Sequence, residues 1–158
     1  MLSVTIQPYS YRKMSSLKDL KSLAVLKFSH KGIIDDDFCF ETVYDCSIDE
    51  VENKKDLLDI LLKNIKSKNL ITYNSRLLIQ TLHVLAEYCN ETIDDDVYAT
   101  IPDLMVKFGK LHNNGRWAKL EDALQYYDHT LSVDTNDPYD MSEKTIILYR
   151  LMQDHNDI

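Results

Sequence analysis

Asn69-Leu70-Ile71-Thr72-Tyr73-Asn74-Ser75-Arg76-Leu77-Leu78 is the stretch where the chain changes period. Asn69 to Thr72 is a short apolar run, the pattern of a buried strand. Asn74-Ser75 supplies helix-capping chemistry, and Leu78, Leu82, Leu85 and Cys89 follow at helical spacing. Before the stretch, Leu58, Leu61, Leu62 and Ile65 repeat at i, i+3, i+4, i+7 and predict an amphipathic helix over about residues 51–67. Strands separated by a helix pair in parallel, so this segment puts the chain in the α/β class.

Three strands are expected upstream. Leu2-Ser3-Val4-Thr5-Ile6-Gln7 alternates apolar and polar side chains as a half-buried strand does, and Pro8 ends it. Ser10 to Lys21 reads as a polar, basic connection to a second strand, Leu23 to Phe28. His30-Lys31-Gly32 supplies turn chemistry, and the third strand, Phe38 to Tyr44, is aromatic and β-branched. Downstream, Asp94-Asp95-Asp96 opens a loop before a fifth strand, Val97-Tyr98-Ala99-Thr100. Pro102 suits the first turn of a helix running to about Lys110. Trp117 to Tyr127 and Ser142 to Gln153 are the last two helices, joined by a polar loop holding Asp134, Asn136, Asp137 and Pro138. The order β-β-β-α-β-α-β-α-α predicts a mixed five-stranded sheet with helices on both faces, in one domain over residues 1–158.

Composition narrows the classes. The chain has 158 residues, 44% hydrophobic and 28% charged, which excludes disordered and fibrous classes. It carries no run of apolar residues long enough to span a bilayer and no signal-peptide pattern, so a cytoplasmic protein without membrane contact is expected. Cys39, Cys46 and Cys89 form neither a C-x-x-C pair nor a zinc spacing, and reduced thiols are the expectation. Net charge is −8, unevenly spread. Residues 1–34 hold six basic residues against Asp19 alone, giving +5; residues 35–158 hold 12 basic and 25 acidic residues, giving −13. Such a chain repels the phosphate backbone, which predicts weak or no nucleic-acid binding and a protein as the partner. The cations expected to meet any phosphate are Arg12, Lys13, Lys18 and Lys21.

Several phrases resemble the DnaQ-like 3′–5′ exonucleases of the ribonuclease H-like fold, among which tailed phages encode small members. Leu70 to Leu78 resembles the strand-to-helix phrase L-V-A-H-N-A-x-F-D, with Tyr73 and Asn74 at its H-N. Lys119 to Tyr127 is similar to the helix K-L-x-x-L-x-x-x-F/Y. Thr135 to Met141, continued by Lys144-Thr145-Ile146 and Leu148 to Leu151, resembles the closing helix H-D-A-x-x-D-A. The resemblance covers nearly the whole chain. It implies a two-metal mechanism in which four carboxylates hold two divalent ions.

The chain departs from that pattern at the chemistry. The D-x-E of the first strand falls on Thr5-Ile6-Gln7, the third acid on Leu78, the fourth on Met141, and the general-base histidine on Asn136. Asp140 lies one residue from the fourth position. Hard cations require oxygen ligands with net negative charge, which amides and methyl groups do not supply. The implied reading is a catalytically degenerate domain without metal or cofactor, acting as a binding or regulatory module toward a protein or nucleic-acid-processing machinery. The alternative is an active Mg²⁺-dependent exonuclease whose carboxylates come from Asp35–Asp37, Glu41, Asp45, Asp94–Asp96 or Asp140.

Other constellations are weaker. The five histidines show no HExxH pattern, and His129 with Asp134 fits H-x-x-x-x-D without a helix directly after it. Gly32, Gly109 and Gly115 form no phosphate loop, and neither Ser75 nor Ser132 lies in a nucleophile elbow. Tyr88, Tyr126, Tyr127 and Tyr149 fall at helical positions and are expected in the core or at its rim.

Overall fold

The computed structural model describes residues 1–11, 14–28, 40–128 and 130–158. Arg12, Lys13, the turn His30-Lys31-Gly32, the run Asp35–Asp37, Phe38, Cys39 and His129 lie outside the described residues.

The sheet is built around β1 (Leu2–Pro8). β2 (Leu20–Phe28) pairs antiparallel with β1, and β3 (Phe40–Ser47) pairs antiparallel with β2. On its other side β1 pairs in parallel with β4 (Leu70–Ile71), giving the order β3-β2-β1-β4. The parallel pairing follows from α1 (Lys54–Lys66), which carries the chain back across the sheet before β4 begins. α2 (Ser75–Cys89) follows, then the short α3 (Asp95–Ala99), α4 (Leu104–His112), α5 (Leu120–Tyr126) and α6 (Pro138–Asp154).

The fifth strand expected at Val97 to Thr100 is absent: those residues belong to α3 and its C-terminal cap. Asp95 and Asp96 fill the first turn of α3, where the partial positive charge of a helix N-terminus favours carboxylates. The aspartate run therefore starts a helix, against the β-branched and aromatic composition that follows it. A remnant of pairing does lie beyond β4. Thr72 and Asp103 form one isolated parallel bridge, with Thr72 N–H donating to Pro102 O at 3.3 Å and Leu104 N–H to Thr72 O at 2.9 Å.

Alternation along β1 directs its side chains to two cores. Leu2, Val4 and Ile6 join Leu57, Leu58, Leu61, Leu78, Leu82 and Leu85 from α1 and α2 on one face. On the other, Leu26 and Phe28 of β2 pack with Leu104, Phe108, Leu120, Leu124, Ile146 and Met152 from α4, α5 and α6. Helices thus cover both faces, as expected. The polar face of β1 is not solvated, however, since Ser3, Thr5 and Gln7 are all buried. Ser142 Oγ donates to Ser3 Oγ at 2.8 Å, and Ser3 Oγ donates to Ser142 O at 3.0 Å. Small hydroxyls that satisfy one another let α6 lie directly on this face at little desolvation cost.

Two helix starts shift from expectation. α6 begins at Pro138, because Asp137 caps it by accepting from Tyr139 N–H at 2.9 Å. α5 begins at Leu120, because Arg116 lies against α4 where Gly109 leaves room for its carbonyl. No helix among the described residues is long and apolar enough to cross a membrane.

Candidate functional site

Parallel β1 and β4 end on the same side of the sheet, and a crevice at the ends of such strands is the usual ligand position in open α/β sheets. A cavity of about 80 Å³ lies there. Thr5 and Ile6 reach it from β1, Thr72, Tyr73 and Asn74 from the turn after β4, and Leu77 from the first turn of α2. Met105 of α4, Met141 of α6 and Tyr11 complete the wall.

Four of the positions implied by the sequence therefore meet: Thr5, Tyr73, Asn74 and Met141. The others do not line the cavity. Gln7 shares a sheet face with Thr5, but its Oε1 accepts from Ser22 Oγ at 3.0 Å, its partner in register on β2. Leu78 does not reach the cavity and is completely buried in the core of α1, α2 and β1; its neighbour Leu77, also buried in that core, is the one that borders the crevice. Asn136 is exposed in the loop before α6, where its backbone N–H donates to Asp134 Oδ1 at 2.9 Å. Asp140 is already engaged: its Oδ2 accepts from Asp134 N–H at 2.9 Å and its Oδ1 from Lys144 Nζ at 3.2 Å. Burial lowers the Lys144 pKa, but hydrogen bonds to Glu143 and Asp140 outweigh it and raise the net value, so the ammonium stays charged. Sequence reasoning missed Leu77, Met105 and Tyr11. Leu77 had a signal, as the residue beside the expected third acid; the other two arrive by tertiary packing.

The chemistry on offer is neutral. Thr5 and Asn74 make no side-chain hydrogen bond among the described residues, leaving one hydroxyl and one amide facing an apolar wall. Tyr73 OH donates to Ala118 O at 2.8 Å, and burial, then Asp103 and Asp122, push its pKa far up, so it remains a protonated donor. The carboxylate at this end of the sheet is Asp103, and both its oxygens are occupied by backbone. Oδ2 accepts from Ser75 N–H at 2.8 Å and Oδ1 from Val106 N–H at 3.1 Å, capping α2 and α4 together. The expected Asn74 side-chain cap of α2 is not made, since Asp103 takes that role. Among the described residues no three His, Cys, Asp or Glu side chains converge as metal ligands.

Of the predicted cations, Lys18 and Lys21 do not line this crevice, and Arg12 and Lys13 lie outside the described residues. Lys18 borders a separate groove of about 450 Å³, shared with Leu17, Val84, Tyr88 and the carboxylates of Asp49 and Glu87. Lys21 is exposed on β2. Lys27 is paired with Glu41 at 3.0 Å. Of the tyrosines, Tyr127 and Tyr149 are buried as expected, whereas Tyr88 and Tyr126 are exposed. No protein-family model matches the chain, and no curated protein is significantly similar to it.

Proposed function

We propose that this chain is a ribonuclease H-like domain, similar to the DnaQ-like 3′–5′ exonucleases, that has lost its metal-binding acids and acts as a binding or regulatory module for a protein partner. One observation carries the reading. Thr5 and Met141, two of the five positions that the resemblance assigns to catalysis, converge with Tyr73 and Asn74 of the strand-to-helix phrase and with Leu77 on one crevice where parallel strands end, and every one of them is neutral. Two adjacent divalent ions need several carboxylates to offset their charge, and a methyl, hydroxyl or amide lining cannot do so. The three-strand meander with a parallel strand beside β1 supports the resemblance, although the sheet has four strands among the described residues and the fifth expected at Val97 to Thr100 is taken up by α3 and its C-terminal cap.

The alternative reading, an active exonuclease with relocated carboxylates, gains little support from Asp140, whose oxygens are taken by Asp134 and Lys144. The test is thermal unfolding in chelator and in millimolar Mg²⁺ or Mn²⁺. A ligand that binds the native state raises its stability by mass action. The reading expects superimposable melts. A metal-dependent rise in Tm that Asp140→Ala abolishes would overturn it.

A further inference from the structure

Counting charge over the whole of residues 35–158 hides a local reversal. From Leu104 to Leu120 the chain contains Lys107, Lys110, Arg116 and Lys119 and no Asp or Glu. All four cations are exposed, and none makes an ion pair among the described residues. In the same region stand three large apolar side chains in water: Trp117 at 70% exposure, Tyr126 at 54% and Leu111 at 50%.

The geometry draws them together around α4. Lys107, Lys110 and Leu111 are spaced three and four apart and share its outer face. Along one flank the Tyr126 ring lies 4.3 Å from that of His112 and 5.5 Å from that of Phe108, centroid to centroid. Along the other, the Arg116–Trp117 segment passes beside Gly109. That segment is rigidly held. Gly115 N–H donates to Gly109 O at 2.8 Å, Asn113 Nδ2 donates to the carbonyls of Arg116 and Trp117, and Tyr73 OH holds Ala118 O. Trp117 is therefore presented to solvent by fixed backbone, at low ordering cost for whatever binds it.

We infer that the α4–α5 face is a docking surface for an acidic segment of a partner protein that carries a large apolar side chain. Charge complementarity selects the partner: Lys107, Lys110, Arg116 and Lys119, all exposed and without ion pairs among the described residues, fall in the same stretch of chain as the exposed Leu111 and Trp117. Trp, Tyr and Arg are the residues that dominate interface energetics when buried. The apolar share of the patch selects a protein segment over a nucleic acid: exposed Leu111, Trp117 and Tyr126 match the apolar side chains that a peptide presents and a charged sugar–phosphate backbone does not. Glu121, Asp122 and Asp103 flank the four cations in sequence, so the acidic segment that fits is a short one. The inference rests on reading the chain as a binding module, and it does not depend on the crevice.

Trp117 is the sole tryptophan, so its fluorescence reports on this face alone. The probes are a labelled short peptide of Glu and Asp interrupted by Leu and Phe, and a thymidine oligonucleotide of equal charge. The peptide should bind and shift Trp117 emission to the blue. By label anisotropy, Lys107→Glu with Lys110→Glu, and separately Trp117→Ala, should each weaken binding at least about tenfold with the far-UV spectrum unchanged. Lys107→Gln with Lys110→Gln should give an intermediate loss. Absent peptide binding, binding that these variants leave intact, or tighter binding of the oligonucleotide than of the peptide overturns the assignment. Failure here leaves the metal-independent melt untouched, and a metal-dependent melt leaves this surface untouched, so the two readings fail separately.

Discussion

Ser75, the first residue of α2, donates its backbone N–H at 2.8 Å to the carboxylate of Asp103, which lies 28 residues further along the chain. The second oxygen of Asp103 caps α4 through Val106 N–H at 3.1 Å. One side chain thus ties the helix after β4 to the helix after the Thr72–Asp103 bridge, and it fixes the end of the sheet at which the crevice opens. It also neutralises two helix N-termini that would otherwise attract an anionic ligand.

Removing that carboxylate should loosen both helices. Each lost N-cap costs about 1 kcal/mol, so Asp103→Ala should lower unfolding free energy by about 2 kcal/mol. Asp103→Asn retains one acceptor and should lose about half as much. Urea denaturation reads the difference. A loss no larger than about 0.5 kcal/mol for Asp103→Ala would mean that the two caps are energetically idle.

Gly109 is required by contact. A Cβ at this position would lie 2.4 Å from the Arg116 carbonyl oxygen, a backbone atom that cannot swing aside. Gly109→Ala should therefore displace the Arg116–Trp117 segment and cost roughly 1–3 kcal/mol, the range for overpacking. The emission maximum of Trp117 should move with it. An alanine variant with wild-type stability and emission would show that the close approach is not maintained in solution.

The carboxyl-terminal turn is held by charge. Asp157 Oδ2 accepts from Tyr127 OH and lies 2.8 Å from His112 Nε2, while His155 packs on the Tyr127 ring at 4.9 Å between centroids. The Tyr127 hydrogen bond is the main cause that holds the Asp157 carboxyl below the usual range, with His112 adding to it. A depressed carboxyl stabilises the fold above its unfolded pKa of about 4, and that contribution disappears as pH falls through the lower folded value. Wild type should therefore lose Tm more steeply than Asp157→Asn between about pH 5 and pH 2. Parallel acid limbs would remove Asp157 from the account.

Leu77 and Leu78 both lie in the core, and only Leu77 also borders the crevice. Leu78 is completely buried among apolar side chains, so Leu78→Asp strands an unpaired carboxyl and should cost roughly 3–5 kcal/mol, with no recovery in Mg²⁺. Leu77→Asp, on the crevice wall, should cost less. A thermal melt of each variant decides it, and the reverse order would contradict the placement of α2.

Much of the fold was legible from spacing, because the signals were local. The apolar stripes of α1 and α2 and the alternation of β1 were each visible in a handful of residues. The alternation nevertheless misled about solvent: Ser3, Thr5 and Gln7 look like an outer face until α6 lies over them with Ser142 as partner to Ser3. Val97 to Thr100 has strand-like composition, yet three aspartates before it favour a helix start, and propensity yielded. Within the crevice, Thr5, Tyr73, Asn74 and Met141 were found from the sequence. The choice between Leu77 and Leu78 was not, because it depends on how α2 rotates against β1. Asp103 as a double cap was invisible for the same reason, since its partners come from two helices brought together only by the fold. The cations around Trp117 were visible, but averaging over the acidic remainder concealed them.

The central claim is that the crevice does not cleave a phosphodiester, because it lacks the carboxylates that would hold two ions. End-labelled single-stranded DNA and RNA, incubated with the protein in Mg²⁺ and in Mn²⁺, test it most directly. The account predicts full-length substrate at all times, because Thr5, Asn74, Leu77 and Met141 supply no charge to hold two ions. Progressive 3′ trimming that requires metal and vanishes in Asp140→Ala would contradict it, and would make this chain an active exonuclease whose carboxylates have moved.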